Sequence, residues 1–460
     1  MAEDSVEQVE QVNFFPGDEI VEWTCVEKID EGNFGQVYKV QGKNKEKLAM
    51  KIEPNRLDGG SSAIKVEAEI LQDLQSHKVL FVPKFFKANR KEKFHWMVME
   101  LLSDNLKKLR LKSQDPNTCT TGTWSRIGIQ CLHVLKTIHD CGYIHRDLKP
   151  ANFAMGAADG INSRVLHVLD FGISRKLVLL KKGAPMMQTS KKDPKDYEFR
   201  VARRRTQDFK GTPIYASPNA HSFMDLGRVD DLWSLMYMIA EMVQPLPWSC
   251  MDDPQQLEST KLASKLKDLF KMDSFEAVEQ MLRKCNYYSF PSYELIFKTL
   301  KSVYDKSGCS WLDPYDWETK QLGSYQRWKA LADARPTLFP WEYSDFGEKL
   351  RSDPWGSCME SRFMPGMELI EEMERKKKKK EGETQTAEAM MTDEAKTPTP
   401  VPTVKKEKKE KEKKKEEKKE ESKDKKEKGK KTNERKSKDT KEKKKSEDKK
   451  EKVKVAKAPR

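Results

Sequence analysis

The stretch IHRDLKPANFAMG, residues 144–156, crowds an imidazole, a guanidinium, a carboxylate, an ammonium and a carboxamide into one predicted turn. Charged groups gathered this densely are the mark of a site that does chemistry. A carboxylate held in a loop, Asp147, can orient and deprotonate an incoming hydroxyl. Lys149 can neutralise charge that develops on a transferred group. The amide oxygen of Asn152 is a hard donor suited to Mg2+. Together they point to phosphoryl transfer, a reaction that asks for positioned charge more than for covalent chemistry.

Three further segments complete the pattern. Downstream, VLDFGIS places Asp170 after an apolar strand, as a second metal ligand. Upstream, LAMK ends in Lys51 on a predicted strand, and the helical segment SSAIKVEAEILQDL offers Glu67 and Glu69 sixteen and eighteen residues later. Glu67, followed by Leu71, is the better match for a helix carboxylate that pairs with Lys51 and aims it at the α and β phosphates. Ser61 or Ser62 is the expected N-cap of that helix, and Ile64, Ile70, Leu71 and Leu74 form its apolar stripe. Earlier still, IDEGNFGQVYKV sets Gly32 and Gly35, followed by Val37, in a strand-turn-strand whose backbone N–H groups can cover phosphates. Alone, that turn reads more readily as an ordinary hairpin, because Gly is the default turn residue.

Around these motifs the chain alternates in character. Residues 1–16 read as a flexible lead-in. Val21 to Met99 is strand-rich (VEWTCVEKI, GQVYKV, KLAMKI, FHWMVM) with the one helix between. After about Asn105 the pattern turns helical. SRIGIQCLHVLKTIH aligns Ile127, Cys131, Val134, Leu135 and Ile138, and DDLWSLMYMIAEM is apolar nearly all round, as a centrally buried helix is. The expected architecture is α+β and bilobal: a β-rich lobe over about 17–102 and a larger α-helical lobe over about 103–318, with a ligand cleft between. Residues 319–375 keep Trp328, Trp341 and Trp355, too many large aromatics for a free linker. This extension is expected to pack on the larger lobe, with a final helix near Gly366–Lys378. Residues 376–460 form a Lys/Glu-rich low-complexity tail that cannot bury enough surface to fold.

The order and spacing of these motifs resemble those of eukaryotic protein kinases, over about Ile20 to Glu318. HRDLKPAN with Lys149 is similar to the serine/threonine class. HRDLKPANFAMG, GTPIYASPNAH, GRVDDLWSLMYM, LPW and DPYDWE together resemble the casein kinase I group, and within it the tau-tubulin kinase branch in a divergent nematode form. The resemblance implies ATP and Mg2+ as cofactors. It implies Met99 as gatekeeper, Glu100 to Leu102 as the hinge, and Val37 and Ala49 against the nucleotide. It also implies Asp231 as a buried brace of the catalytic loop and Thr212 beside Asp147 and Lys149. Protein substrates follow, with tubulin or microtubule-associated proteins suggested by the branch.

Two departures stand out. Asp30 occupies the place of the group's first loop glycine, where a carboxylate faces a triphosphate. Ile214 in GTPIYAS and Asp252 after LPW replace the basic residues with which relatives bind a substrate's priming phosphate. The expected consequence is independence from priming at that pocket. RVARRR, with Arg203, Arg204 and Arg205, is either a relocated anion site or a solvated loop. The segment from Asp170 to about Ser217 is lengthened by KKGAPMMQTSKKDPKDYEF. Cys131, His133, His139, Cys141 and His145 have a metal-like composition, but Cys131 lies on an apolar helix face and His145 in the catalytic loop, so packing is the expected role.

Composition bounds the rest. From Arg375 onward there are 36 basic and 20 acidic residues, so the preceding body nets −2 of the chain's +14. A nucleic-acid-binding core is therefore not expected. Eight cysteines without a CxxC pair read as reduced thiols. No apolar leader or membrane-length run is evident, so no membrane partner is expected, and the location is cytoplasmic, with the Lys runs admitting the nucleus. The competing reading is a catalytically weak pseudokinase or scaffold that attaches to acidic partners through its basic tail. Against it, Lys51, Glu67, Asp147, Lys149, Asn152 and Asp170 are all present.

Overall fold

The computed structural model describes residues 12–32, 35–55, 62–157, 162–182, 196–318, 325–326, 329–330 and 346–355. Ser61, Trp328, Trp341, most of the 181–199 insertion, the helix expected near Gly366–Lys378 and the Lys/Glu-rich tail lie outside the described residues.

The first half of the fold is a six-stranded antiparallel sheet: β1 (Glu19–Ile20), β2 (Trp23–Gly32), β3 (Gly35–Gln41), β4 (Lys47–Pro54), β5 (Phe85–Arg90) and β6 (Phe94–Glu100), in the order β1-β2-β3-β4-β6-β5. Strand alternation sorts its side chains onto two faces. Tyr38, Val40, Met50, Ile52, Trp96 and Val98 form one apolar cluster, while Ala49, Met97 and Met99 join the other with the helix α1 (Ala63–Ser76). Ser62 caps α1, its Oγ accepting from Lys65 N. The Glu53 carboxylate accepts from Ser62 Oγ at 2.6 Å and Ile64 N at 3.0 Å, which pins the start of the helix to the end of β4. Negative charge at a helix N-terminus is favourable.

The second half is helical: α2 (Leu106–Leu111), α3 (Thr121–Asp140), α4 (Pro218–His221), α5 (Arg228–Val243), α6 (Pro254–Ala263), α7 (Leu266–Phe270), α8 (Phe275–Lys284) and α9 (Tyr293–Ser307). The apolar stripe of α3 (Ile127, Cys131, Val134, Leu135, Ile138) is buried, and α5 is buried on nearly every side. Short antiparallel pairs carry the loops between them: β7 (Tyr143–Ile144) with β10 (Arg175–Lys176), β8 (Phe153–Met155) with β9 (Leu166–Val168), and β11 (Val178–Leu180) with β12 (Tyr197–Phe199). Among the described residues no helix is long and apolar enough to cross a membrane.

The sheet and the helical half meet through polar contacts. Asp73, near the end of α1, accepts from Tyr143 Oη and, at 3.0 Å, from Lys176 Nζ. Lys108 Nζ donates to Ile29 O at 3.1 Å.

Candidate active site

Strand register builds the roof of the site. Val37 pairs with Lys51, Lys51 with Met97, and Ala49 with Met99, so Val37, Ala49, Lys51 and Met99 share one face. Gly32 pairs with Gly35 where the β2–β3 turn closes. Gly35 has φ +130°, and a Cβ there would lie 2.0 Å from Ile52 O, so the turn admits no side chain at this position. Around Gly32 a Cβ would meet nothing within 4 Å among the described residues. Glu100 ends β6, its N–H donating to Lys84 O at 2.8 Å, and the chain passes through Leu102 to Ser103, whose N–H donates to Met155 O at 2.9 Å.

Lys51 joins the two halves. Its Nζ donates to Glu67 Oε2 at 2.7 Å and to Asp170 Oδ1 at 2.8 Å, with Lys51 and Glu67 both buried. Burial alone would lower the lysine pKa, but the Glu67 and Asp170 carboxylates outweigh it and hold the ammonium charged. Burial pushes the Asp170 carboxyl upward, and Lys51 more than reverses this, keeping it ionised. Glu69 is exposed, so of the two glutamates the fold selects Glu67.

Below this triad lies the catalytic-loop segment. Asp147 Oδ2 accepts from Lys149 Nζ at 2.8 Å, and Asp147 Oδ1 accepts from Thr212 Oγ1 at 2.7 Å. Lys149 Nζ also donates to Thr212 Oγ1 at 3.1 Å. Asn152 donates from Nδ2 to Asp147 O at 2.8 Å, a bond that fixes the amide and assigns its oxygen to acceptor work. Arg146 and Asp170 both have left-handed backbones, φ +72° and +65°. Such conformations cost about 1–3 kcal/mol each and persist only where the surroundings impose them. For Arg146 that imposition comes from Asp231, 1% exposed on α5. Asp231 accepts from His145 N at 2.7 Å and Arg146 N at 2.8 Å. His145 donates from Nε2 to Leu169 O, and its ring packs edge-on against the buried Phe171. For phosphoryl transfer the arrangement supplies an oriented carboxylate, two cations and a hard-oxygen pair, Asn152 and Asp170. That donor set fits a nucleoside triphosphate with a divalent cation.

The thiol and imidazole cluster around α3 is otherwise engaged. Cys131 is fully buried in the core, and His133 stacks edge-on against Phe81 at 4.8 Å. His139 donates from Nε2 to Asp231 and meets Tyr293 Oη through Nδ1. Arg203, Arg204 and Arg205 are exposed.

Lys261 is a site residue that sequence reasoning missed. Only 1% exposed, its Nζ donates to Pro213 O at 2.6 Å and Ala216 O at 2.9 Å, and contacts His221 Nε2 at 3.1 Å. It holds the 212–217 loop, and with it Thr212, against Asp147. No motif marks it; a lysine on a polar helix normally reads as solvated.

Asp30 is exposed on β2, its Oδ1 accepting from Glu31 N at 2.9 Å. Asp30→Gly is expected to tighten ATP binding by about threefold, since it removes an anion beside the phosphate path. Equilibrium titration with ATP checks this, and an unchanged affinity would sink it.

The protein kinase domain family model matches residues 23–306. A Caenorhabditis elegans protein whose name provisionally makes it a serine/threonine-protein kinase is 36% identical over 304 residues, covering 65% of this chain and 82% of that protein. A Dictyostelium discoideum protein with a similarly provisional kinase name is 34% identical over 304 residues, 65% of this chain but only 57% of its own length. A C. elegans protein named an inactive tau-tubulin kinase is 33% identical over 247 residues, 52% of this chain and 81% of that protein.

Proposed function

The chain belongs to the protein kinase family, and on that footing we propose that it transfers the γ-phosphate of ATP to serine and threonine hydroxyls of proteins. The observation that carries this reading is the joint placement of Lys51 on both Glu67 and Asp170 while Asp147 touches Lys149 and Thr212. Asp147 would receive the acceptor proton, Lys149 would steady the transferred group, and Asn152 and Asp170 would hold Mg2+, which supplies positive charge to the phosphates. Val37, Ala49 and Met99, with the Glu100–Leu102 hinge, receive the adenine. The non-catalytic alternative gains from the relative named inactive, but every group it would have to lose is here in contact with its partners. Phosphotransfer to casein and tubulin, with Asp147→Asn as the blank, tests the reading. Tubulin is chosen because of the resemblance to tau-tubulin kinases.

The finer proposal concerns substrate choice: acceptors do not depend on a priming phosphate at the pocket that casein kinase I relatives use. Ile214 packs its side chain on the core and its carbonyl accepts from Trp248 Nε1 at 2.9 Å. Asp252 is exposed, and Lys261 is buried on loop carbonyls. A charge-assisted hydrogen bond contributes roughly 1.5–3 kcal/mol, so losing such donors removes a preference of tenfold or more. Matched primed and unprimed peptides are expected to show kcat/KM within about threefold of each other. A preference for the primed peptide above that refutes the proposal.

A further inference from the structure

The kinase-family match ends at residue 306, yet the chain from 346 to 355 returns to the structural elements around the catalytic loop. A short helix, Phe346–Arg351, lies on α9; Leu350 is buried and Arg351 donates to Glu294 at 2.7 Å. Three of the next four residues meet groups of the helical half. Ser352 O accepts from Lys136 Nζ at 2.9 Å. Asp353 Oδ1 accepts from Arg228 Nη1 at 3.1 Å and from Trp355 N at 3.1 Å, which fixes the turn between them. Trp355 is 5% exposed, donates from Nε1 to Asp140 O at 3.0 Å, and sets its ring 5.3 Å from that of Tyr197.

These partners belong to three different elements. Asp140 ends α3, one turn before β7 and the catalytic loop. Arg228 opens α5, three residues before Asp231, and its buried guanidinium lies over the rings of Phe199 and Phe290. Tyr197 is on β12, inside the activation segment, which runs from Asp170 to the 212–217 loop, the substrate loop of the kinase reading. Around Trp355 a separate apolar cluster forms from Ile144, Leu177, Val178, Phe199, Ala216 and Leu226. It draws on the catalytic-loop strand, both strands of the β11–β12 hairpin and the substrate loop, and Trp355 closes it. The packing is tight: a Cβ on Gly142 would lie 3.1 Å from Val178 and 3.8 Å from Trp355.

We propose that Ser352–Trp355 is a cis-acting brace of the activation segment, and that Trp355 is a positioning residue for phosphoryl transfer through the β11–β12 hairpin. The activity part of this proposal rests on the kinase reading above; the structural part does not. A cluster built from one long-range tryptophan opens locally when that side chain is cut back, because the hairpin contributes only three pairs of strand residues of its own.

The test uses full-length protein carrying Trp355→Ala or Trp355→Phe. Amide hydrogen exchange at 178–180 and 197–200 is expected to rise about tenfold or more in Trp355→Ala, with α3 and α5 unchanged. Misplacement of the substrate loop is expected to lower kcat about tenfold, with KM for ATP within about twofold. Trp355→Phe keeps the ring against Tyr197 and restores most of both. Wild-type exchange at the hairpin in Trp355→Ala, or exchange that rises equally across α3, α5 and the hairpin, overturns the brace. If Trp355→Ala does not fold, Asp353→Asn, which removes the charge that Arg228 and Trp355 N share at Oδ1 but leaves the Trp355 ring in place, is read by the same hairpin exchange and decides the question. If the wild type phosphorylates nothing, the kinase reading fails, while the exchange result still decides the brace.

Discussion

Asp147→Asn is expected to lower kcat by about 10²–10⁴-fold and to leave ATP affinity within about twofold. Asn is the same shape as Asp but cannot take the proton of an incoming hydroxyl. Lys51 is held by Glu67 and Asp170 rather than by Asp147, and Asn152 keeps its 2.8 Å bond to the Asp147 backbone carbonyl in the variant, so ATP binding is expected to suffer far less than the chemistry. Thr212 and Lys149 both donate to the carboxylate, and an amide oxygen at that position still accepts one of them. The fold is therefore kept, and thermal unfolding of the variant should stay close to wild type. Initial rates with casein or tubulin, alongside an ATP-binding titration, give the answer. Wild type and variant transferring phosphate equally poorly would leave the non-catalytic reading in possession of the fold.

Asp231→Asn acts at a distance from the reacting atoms. One carboxylate oxygen takes His145 N and His139 Nε2, and the other takes Arg146 N. An amide turns one of these oxygens into a second donor, facing a buried N–H that then has no acceptor. Breaking a buried charged cluster of this kind costs roughly 3–5 kcal/mol. Arg146 also loses the bond that holds its left-handed backbone, so the loop carrying Asp147 relaxes. The expected result is a midpoint of thermal unfolding lower by about 6–15 °C and a kcat reduced by about 10²-fold in the fraction that remains folded. The wild type carries a pH signature of the same contact. Burial pushes the Asp231 carboxyl up, but hydrogen bonding and charge from His139, with His145, hold it below its ordinary 3.8. Its stabilisation is thus complete above about pH 4 and is lost as acid protonates it, a loss that Asp231→Asn should abolish. An Asn variant as stable and as active as wild type would refute this account.

The groups that assemble the cleft were legible because each sits in a short local motif. Lys51, Glu67, Asp147, Asn152 and Asp170 announce themselves by neighbours, and strand alternation plus helix period placed them on the right elements. Asp231 and Thr212 came only through family resemblance, because no pattern near them says what they touch. Lys261 and Glu53 were not legible at all, and of the 352–355 stretch only the expectation that its tryptophan packs on the larger lobe was. Lys261 reaches carbonyls 45 and 48 residues away, and Trp355 reaches one 215 residues away. Contacts at such separations leave no periodicity. From the sequence alone, Trp355 was one aromatic too many in a linker; what it covers depends on where α3, α5 and the β11–β12 hairpin converge.

Helix α1 carries its two working carboxylates at opposite ends of its reach. Glu67 faces Lys51 inside the cleft, and Asp73, six residues on, is tied to Tyr143 and Lys176 of the helical half. The first contact is dry and the second is wet, since the Lys176 and Asp73 side chains are 36% and 27% exposed. Dissolved ions therefore reach one end of the helix and not the other. Raising ionic strength should loosen the outer tether first and let the helix tilt, drawing Glu67 from Lys51. The enzyme would then lose turnover in high salt even with an uncharged peptide as acceptor, and the electrolyte would act on the hinge of the machine rather than on its cargo.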